Sequence, residues 1–265
     1  MKKILIGSLV ASSLLLAAQD AKKDPDALVT HTEFGYMETQ GNTATQTFNL
    51  DSKVKKGWGA HIAHFLFDGQ YASNENEEIK NKYLIELEYD YEFNSDFAFA
   101  YLAGFKDDKF SGFKYQFYTG PGVKYKAIKT DNHKLNLEAN ILYSRDDIDE
   151  VRYDADGDVI NYPNPDDKKT VTTDDEYTED YASARAKLVY SWQILENLKF
   201  DQDLSYRCDL NSLSTYFVFS KTSFSAKLSD IFSAGISYKI DYTNEPAEGK
   251  ERSDRTFTAN LIIDY

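Results

Sequence analysis

Charged and apolar positions alternate along much of the chain, and the stretch KNKYLIELEYDYEF at residues 80–93 shows the pattern clearly. One set of alternate positions holds Tyr83, Ile85, Leu87, Tyr89, Tyr91 and Phe93, and the other holds Glu86, Glu88, Asp90 and Glu92. A helix would scatter the four carboxylates around its circumference, whereas a strand places them in one row. The period of two therefore predicts a β-strand with one apolar and one acidic face.

Turn signals such as QGNT, KKG, NSD and KTDN divide the chain into about twelve such strands. The predicted spans are 29–40, 44–55, 58–71, 80–93, 97–108, 113–128, 133–145, 178–194, 198–210, 214–228, 232–243 and 254–265. Each is near or above the roughly 9–11 residues with which a tilted strand crosses a membrane. An even number of such strands predicts an all-β fold, an antiparallel transmembrane β-barrel of the outer-membrane type.

The connections between the predicted strands differ in length. Those after strands two, four, six, eight and ten are short, and those after three, five, seven and eleven are longer; only the first hairpin, at Gly41-Asn42, breaks this pattern. Outer-membrane barrels place short turns and both termini in the periplasm and long loops outside. The predicted loop 146–178 is the longest and is therefore expected outside the cell.

Aromatic residues are expected to form two belts, one at each end of the predicted strands. The periplasmic belt would hold Trp58, Phe93, Phe97, Tyr125, Trp192, Phe200 and Phe232, and the outer belt Tyr83, Phe113, Tyr115, Tyr143, Tyr206, Tyr216 and Tyr242. Aromatics are common in any strand, which explains each residue singly but explains the two belts poorly. The apolar rows are therefore expected to face lipid and the charged rows the lumen.

The first residues resemble an export signal. Lys2 and Lys3 precede a mostly apolar run at 4–16 and then small residues, which predicts a secretory signal peptide at 1–18. A periplasmic segment at 19–28 and the barrel at 29–265 would follow, in the outer membrane. Cys208 is the only cysteine, so neither a lipid anchor near the cleavage site nor an internal disulfide is expected. No later apolar run approaches the roughly 20 residues of a membrane helix.

Three segments resemble a known family. YMETQGNTATQTFNL, DDKFSGFKYQF and DYTNEPAEGKERSDRTFTANLIIDY are similar to the uncharacterised salt-induced outer membrane proteins, also called domain of unknown function 481. The resemblance spans nearly all of the chain after the signal and implies an outer-membrane barrel without an established activity. Gly120-Pro121-Gly122 lies within a predicted strand, where we expect a bulge or bend. Segment 146–178 is longer than the family leads us to expect.

The alternation predicts a charged wall that faces the lumen. Its residues are Glu86, Glu88, Asp90, Glu92, Glu138, Asp201, Asp203, Lys124, Lys126, Arg185, Lys187 and Arg207. An eight-stranded barrel is filled by its own side chains and a 16-stranded one leaves a channel, so twelve strands lie between the two. Two interpretations stay open, a salt-bridged plug of side chains and a narrow water-filled pore for small solutes.

The predicted external loop is strongly acidic. Segment 146–178 holds twelve acidic residues against Arg152, Lys168 and Lys169, and the whole chain has a formal charge of −14. Such a run is usually a solvated loop, or it binds divalent cations that bridge it to outer-membrane lipid and lipopolysaccharide. Asp154, Asp156 and Asp158 match the first ligands of a calcium loop, but Val159 and Pro165 replace its glycine and final acid, so a hairpin turn at Asp156-Gly157 is the competing interpretation.

No catalytic constellation is evident. The sequence has four histidines and none is expected near a serine at the outer rim, so we expect neither an enzyme nor a cofactor beyond weakly bound cations. The acidity excludes nucleic acid as a partner, and the barrel-assembly machinery is the partner expected during biogenesis. The sequence thus predicts a structural or stress-related outer-membrane barrel. The alternative is a soluble periplasmic β-protein that binds a small apolar ligand.

Overall fold

A computed structural model describes residues 26–39, 44–75, 77–161, 164 and 167–264. The predicted signal peptide, its cleavage site and most of segment 19–28 lie outside these residues, as does the turn of the first hairpin at Gly41-Asn42. No helix within the described ranges is long and apolar enough to span a bilayer.

The described residues form fourteen strands. They are β1 (Leu28–Thr39), β2 (Thr45–Trp58), β3 (His61–Asn74), β4 (Glu77–Glu92), β5 (Phe97–Asp108), β6 (Phe113–Lys129), β7 (His133–Ile148), β8 (Val151–Tyr153), β9 (Thr172–Asp174), β10 (Tyr177–Leu195), β11 (Leu198–Asp209), β12 (Tyr216–Lys227), β13 (Phe232–Thr243) and β14 (Ser253–Asp264). All but β8 and β9 match a predicted strand, with ends that differ by a few residues.

Twelve strands close into one antiparallel barrel, which confirms the predicted fold. Each strand of the barrel pairs with the next along the chain, β7 pairs with β10, and β1 pairs with β14 to close the ring. The short strands β8 and β9 pair only with each other. Closure pairs the strand edges that an open sheet would leave free, except along part of the β1–β14 junction.

The two rows of β4 face opposite sides of the barrel wall. Lys82, Glu86 and Asp90 are buried in the interior, whereas the Leu87 side of the strand is open, with Leu87 itself 56% exposed. Because side chains alternate across a strand, one register sets the face of every residue in it. Large apolar residues are exposed on the outer wall all around the ring, among them Phe65, Leu87, Tyr101, Val123, Ile141, Leu204, Phe224, Ile236 and Leu261.

The loop lengths differ from the prediction at two connections. β3 and β4 both continue beyond their predicted ends, so only residues 75–76 join them. The β5–β6 connection at 109–112 is no longer than the β4–β5 connection at 93–96 on the other end. At the end of the barrel where long loops were predicted, the long connections are therefore 149–176, 210–215 and 244–252. The difference in loop length between the two ends of the barrel rests on these three connections.

Gly120-Pro121-Gly122 forms no bulge, so the expected bulge is absent. The segment pairs with β5 in unbroken register, including Tyr101 opposite Pro121. On the β7 side the ladder omits residues 120 and 121, because proline has no N–H to donate there. A Cβ on Gly120 would collide with the carbonyl oxygen of Ile141, so glycine lets β7 approach where the ladder is interrupted.

Aromatic side chains stack across neighbouring strands at both ends of the barrel. Phe97 and Tyr125 lie 4.7 Å apart at the end of the short turns, and Tyr206 and Tyr216 lie 5.5 Å apart at the opposite end. One belt assignment was wrong: a register shift after Phe113 turns its ring towards Phe217, at 6.3 Å. Sequence alternation cannot locate such a shift.

Candidate functional site

The barrel interior is the candidate site, and it contains the predicted charged wall. The predicted residues lie on five strands: Glu86, Glu88, Asp90 and Glu92 on β4, Lys124 and Lys126 on β6, Glu138 on β7, Arg185 and Lys187 on β10, and Asp201, Asp203 and Arg207 on β11. These strands are consecutive in the ring apart from β5 between β4 and β6. The fold thus gathers the predicted residues on one half of the wall.

Arg185 is the centre of the buried charge cluster at mid-barrel. Its Nη1 donates to Oε1 of Glu138 at 2.9 Å, and its Nη2 lies 3.5 Å from Oε1 of Glu86. The Tyr118 hydroxyl also donates to Glu86, at 2.6 Å. Arg185 is only 5% exposed, so each of its charge partners compensates a guanidinium removed from water.

A second cluster lies nearer the short-turn end. Lys124 contacts Glu88 and donates to Oδ2 of Asp90 at 2.8 Å, and Nε2 of His64 lies 2.8 Å from the same oxygen. Lys126 pairs with Glu92 at this end. Among the described residues, His64, Glu88 and Asp90 are the only three that bring metal-ligand atoms within 4.8 Å of one another. The Lys124 ammonium already contacts both carboxylates there.

The remaining predicted wall residues form smaller groups. Lys187 lies 3.6 Å from Asp203 on the neighbouring strand, and Asp201 pairs with Lys199 at 2.8 Å. Arg207 lies near the long-loop end, 3.9 Å from Asp146, with its guanidinium 4.4 Å above the Phe217 ring. The arginine therefore combines an ion pair with a cation–π contact.

Sequence reasoning missed the ion pairs on the other half of the wall. Lys221 lies 2.6 Å from Glu33 and 2.7 Å from Asp51, and Lys239 lies 3.6 Å from Asp51 and also contacts Asp68. Strands β1 to β3 alternate less regularly than β4, so their inward residues gave little signal. The register of the β1–β2 hairpin, which places Glu33 opposite Asp51, would have identified them.

Several ion pairs join distant strands and so cross the lumen. Lys82 on β4 donates to Asp241 on β13 at 2.5 Å, although five steps separate these strands around the ring. Lys106 on β5, opposite β13 in the ring, lies 3.9 Å from the same carboxylate. Arg185 and Glu86 are four steps apart. Side chains from facing walls therefore meet in the middle of the barrel.

Two cavities remain on either side of these contacts. The cavity towards the long loops has a volume of about 130 Å³, and the one towards the short turns has a volume of about 360 Å³. Lys53, Glu86, Lys187 and Asp203 line both cavities and therefore surround the constriction between them. Charged side chains thus narrow the interior at mid-barrel.

The long acidic loop forms a hairpin at the proposed calcium motif. Oδ1 of Asp154 accepts hydrogen bonds from the backbone N–H groups of Asp156 and Asp158, and Lys168 lies 2.7 Å from Oδ2. The Lys168 contact and these backbone hydrogen bonds hold the pKa of Asp154 below its ordinary value. Gly157 has φ +84, as a tight turn requires. The Asp154 carboxylate is therefore engaged by its own loop.

The loop also rests against the β13–β14 connection. The Tyr153 hydroxyl oxygen lies 2.8 Å from Oδ2 of Asp174 and 2.9 Å from Oε2 of Glu248, and its single proton is donated to one of the two carboxylates. These two carboxylates raise the pKa of Tyr153. β8 and β9 give the loop a short ladder of its own, at Val151, Arg152 and Tyr153. The segment is thus partly ordered, although its surface is solvated and acidic.

The fold and the interior define a closed, twelve-stranded antiparallel barrel whose wall is lined by ion pairs. The chain belongs to the family described as protein of unknown function, DUF481, whose model matches residues 32–265. This membership confirms the resemblance seen in the sequence. No curated protein matches the chain.

Solved barrels share its general shape. The translocator domain of autotransporter NalP from Neisseria meningitidis is 10% identical, with a TM-score of 0.48, over 90% of this chain and 86% of that one. KdgM porin is 8% identical, with a TM-score of 0.40, over 90% of this chain and 98% of the porin chain. The outer membrane channel DcaP of Acinetobacter baumannii is 11% identical, with a TM-score of 0.36, over 90% of this chain and 95% of the channel chain. These distant likenesses assign no activity to this chain.

Proposed function

We propose that the protein is a non-enzymatic outer-membrane barrel of the bacterial envelope, with a structural or stress-related role and a lumen closed by its own side chains. The exposed apolar wall supports the membrane location. Val123 and Ile141 are 56% and 58% exposed, and similar side chains surround the ring. A soluble protein rarely exposes so continuous an apolar surface, whereas a lipid-facing wall requires one. The predicted signal peptide is consistent with export.

The ion pairs across the lumen carry the proposal of a closed barrel. Lys82–Asp241 and Arg185–Glu86 join strands that are five and four steps apart, so these side chains occupy the cross-section through which a solute would pass. Lys82, Arg185 and Glu86 are buried and Asp241 is partly buried, so separating the partners would leave uncompensated charges inside the barrel. A weak pore for small solutes is the second candidate, and the two cavities of about 130 and 360 Å³ favour it.

The histidine contacts support a non-enzymatic role. His61 and His133 bond to the hydroxyls of Tyr89 and Tyr190, and His31 and His64 lie against carboxylates. No described histidine is hydrogen-bonded to a serine, as a nucleophile and its base would be. The partners we propose are outer-membrane lipid, lipopolysaccharide against the acidic loop, and the barrel-assembly machinery during biogenesis.

The location is tested by membrane fractionation and by gel mobility. We expect the protein in the outer-membrane fraction after a urea wash, with faster migration in unheated than in heated detergent samples, because a folded barrel resists detergent. Extraction into buffer without detergent, with identical mobility in both samples, would contradict the membrane location. That outcome would favour the soluble apolar-ligand binder.

A further inference from the structure

The closing junction of the barrel is paired along only part of its length. The β1–β14 ladder has four pairs, from His31 opposite Asp264 to Phe34 opposite Leu261, whereas every other junction of the barrel has eleven or more. Both strands continue beyond this point to the long-loop end. Among the described residues, positions 35–39 of β1 therefore have no ladder partner on β14. Gly35 still lies against Ala259, because a Cβ there would be 3.2 Å from the Ala259 carbonyl oxygen, so the lateral opening in the wall begins beyond Gly35.

In this half, β14 makes contacts across the interior in place of a ladder with β1. The Thr256 hydroxyl accepts a hydrogen bond from Lys80 of β4 at 2.7 Å and lies 3.3 Å from Oε1 of Gln70 on β3. β4 and β3 are four and three steps from β14 around the ring. Met37 shares the inward side of β1 with Glu33 and Gly35, yet it is 58% exposed. The outer half of β14 is therefore hydrogen-bonded across the lumen to β3 and β4, while Met37 on β1 is uncovered.

The cavity behind this opening has apolar side chains in an otherwise charged interior. Leu66, Leu84, Phe217 and Phe219 line the cavity of about 130 Å³, together with Gln70, which contacts Thr256 at the rim of the opening. The cavity has room for the end of a hydrocarbon chain, which would lie against these four apolar side chains although charged residues such as Lys82, Arg185 and Asp241 also line the cavity. Ligand sites are typically apolar pockets with a few fixed polar groups.

The Lys80 ammonium lies at the rim of the lateral opening. Lys80 is half-buried and bonds to Thr256, and within the described chain no carboxylate lies within ion-pair distance of it. The other buried lysines of this region, such as Lys82 and Lys239, each pair with an aspartate. Asp254, Asp241 and Asp108 lie near enough to interact with Lys80 electrostatically, but none of them pairs with it directly. An anionic group arriving from the membrane would therefore meet an ammonium without an ion-pair partner at the opening.

We propose that the outer half of the β1–β14 junction is a lateral entrance through which a single-chain anionic amphiphile, such as a fatty acid or a lysophospholipid, reaches the interior. Its head would pair with Lys80, and its chain end would occupy the cavity lined by Leu66 and Leu84. Entry breaks the Thr256–Gln70 contact and leaves the mid-barrel ion pairs in place. This inference rests on the proposed membrane location but needs no conducting pore.

The test is photolabelling with and without a disulfide across the junction. Protein carrying Cys208→Ser, Tyr36→Cys and Ala259→Cys is reconstituted in phosphatidylcholine liposomes, where the antiparallel register would bring positions 36 and 259 opposite each other. The control carries Thr32→Cys and Ile263→Cys, a pair already opposed in the ladder. The probes are a palmitate analogue with a diazirine near its methyl end, its lysophosphatidic acid counterpart and a neutral alkyl glucoside with the same chain.

Mass spectrometry then locates the adducts. We expect adducts of both anionic probes near Leu66 and Leu84, lost when the 36–259 disulfide forms, restored by reductant and unaffected by the control disulfide. Lys80→Gln should weaken labelling by the anionic probes and spare the glucoside. Labelling that persists with the 36–259 disulfide formed, or absence of cavity adducts in the reduced protein, overturns the proposal. Heat-dependent gel mobility of each sample shows separately whether the barrel is folded in the membrane.

Discussion

The guanidinium of a single residue, Arg185, pairs with two carboxylates in the barrel interior. Removing it as Arg185→Leu leaves Glu86 and Glu138 without their main counter-charge inside the barrel. Breaking a buried ion pair from one side costs about 3–5 kcal/mol. We expect a fall of that size in the free energy of unfolding, measured by urea titration of liposome-inserted protein with tryptophan fluorescence.

Arg152→Leu is the matched control. Arg152 is more than half exposed and contacts Glu150 in the external loop. An exposed pair contributes little to stability. We expect an unchanged unfolding midpoint for this variant. An equal fall in the free energy of unfolding of both variants would show that the mid-barrel ion pairs stabilise the protein no more than an exposed pair does.

At the scale of single residues, the sequence predicted which charges line the interior but not which of them meet. Period-two alternation assigned Glu86, Lys124 and Arg185 to one face, because a strand has only two. It could not pair Arg185 with Glu86, which lies 99 positions earlier in the chain. Such a contact depends on the curvature of the closed wall, which no local pattern encodes.

At the scale of elements, β6 and β7 approach closely at Gly120. A Cβ at this position would strike the carbonyl oxygen of Ile141 and lie 3.0 Å from Cα of Leu142, so backbone rather than side chain must move. Overpacking of this kind costs about 1–3 kcal/mol. We expect Gly120→Ala to lower the urea midpoint and to slow refolding into liposomes.

Gly235→Ala is the control for that substitution. There the nearest atom to an added Cβ is the Cδ1 of Ile262 at 2.7 Å, the flexible end of a side chain. We expect a smaller loss of stability than at Gly120. If Gly235→Ala were the more destabilising variant, close strand approach at Gly120 would not explain its requirement for glycine.

The external loop is a separate element held by Asp154. Its low pKa means that the contribution of its carboxylate to loop order is present above the ordinary aspartate pKa and is lost as the pH falls through the lowered value. We expect Asp154→Ala at neutral pH to increase protease cleavage within 150–176 without changing the heat-dependent mobility of the barrel. The Asp156→Ala variant keeps the backbone N–H that Asp154 binds, so we expect the protease to cleave it at the same rate as the parent protein.

Added calcium provides a second check of the loop. Lys168 and two backbone N–H groups already engage the Asp154 carboxylate, so we expect no protection from cleavage by calcium. Calcium-dependent protection that disappears in Asp154→Ala would instead support the cation loop.

The elements themselves were largely readable from the sequence. All twelve barrel strands were predicted, because turn residues and period-two alternation are local signals. The β8–β9 ladder was missed, since three-residue strands leave no periodic pattern. The two-residue β3–β4 connection was also missed, because the polar segment YASNENEEIK resembles a loop although most of it continues the strands.

At the scale of the whole molecule, ion pairs join facing walls across the lumen, and we propose that they close it. Replacing both partners as Lys82→Ala and Asp241→Ala removes a pair that spans strands five steps apart. We expect the double variant to conduct ions in planar bilayers. The control, Lys126→Ala with Glu92→Ala, removes a pair on strands only two steps apart and should stay silent. Conduction by the control alone would place the constriction elsewhere.

The closed lumen is tested most directly by the current across a planar lipid bilayer that contains the refolded parent protein, in a salt gradient. Heat-dependent gel mobility of the same preparation establishes that the barrel is folded. We predict no discrete current steps, because charged side chains from opposite walls meet at mid-barrel. Reproducible steps with a measurable ion selectivity would contradict the closed lumen and show that the protein is a pore.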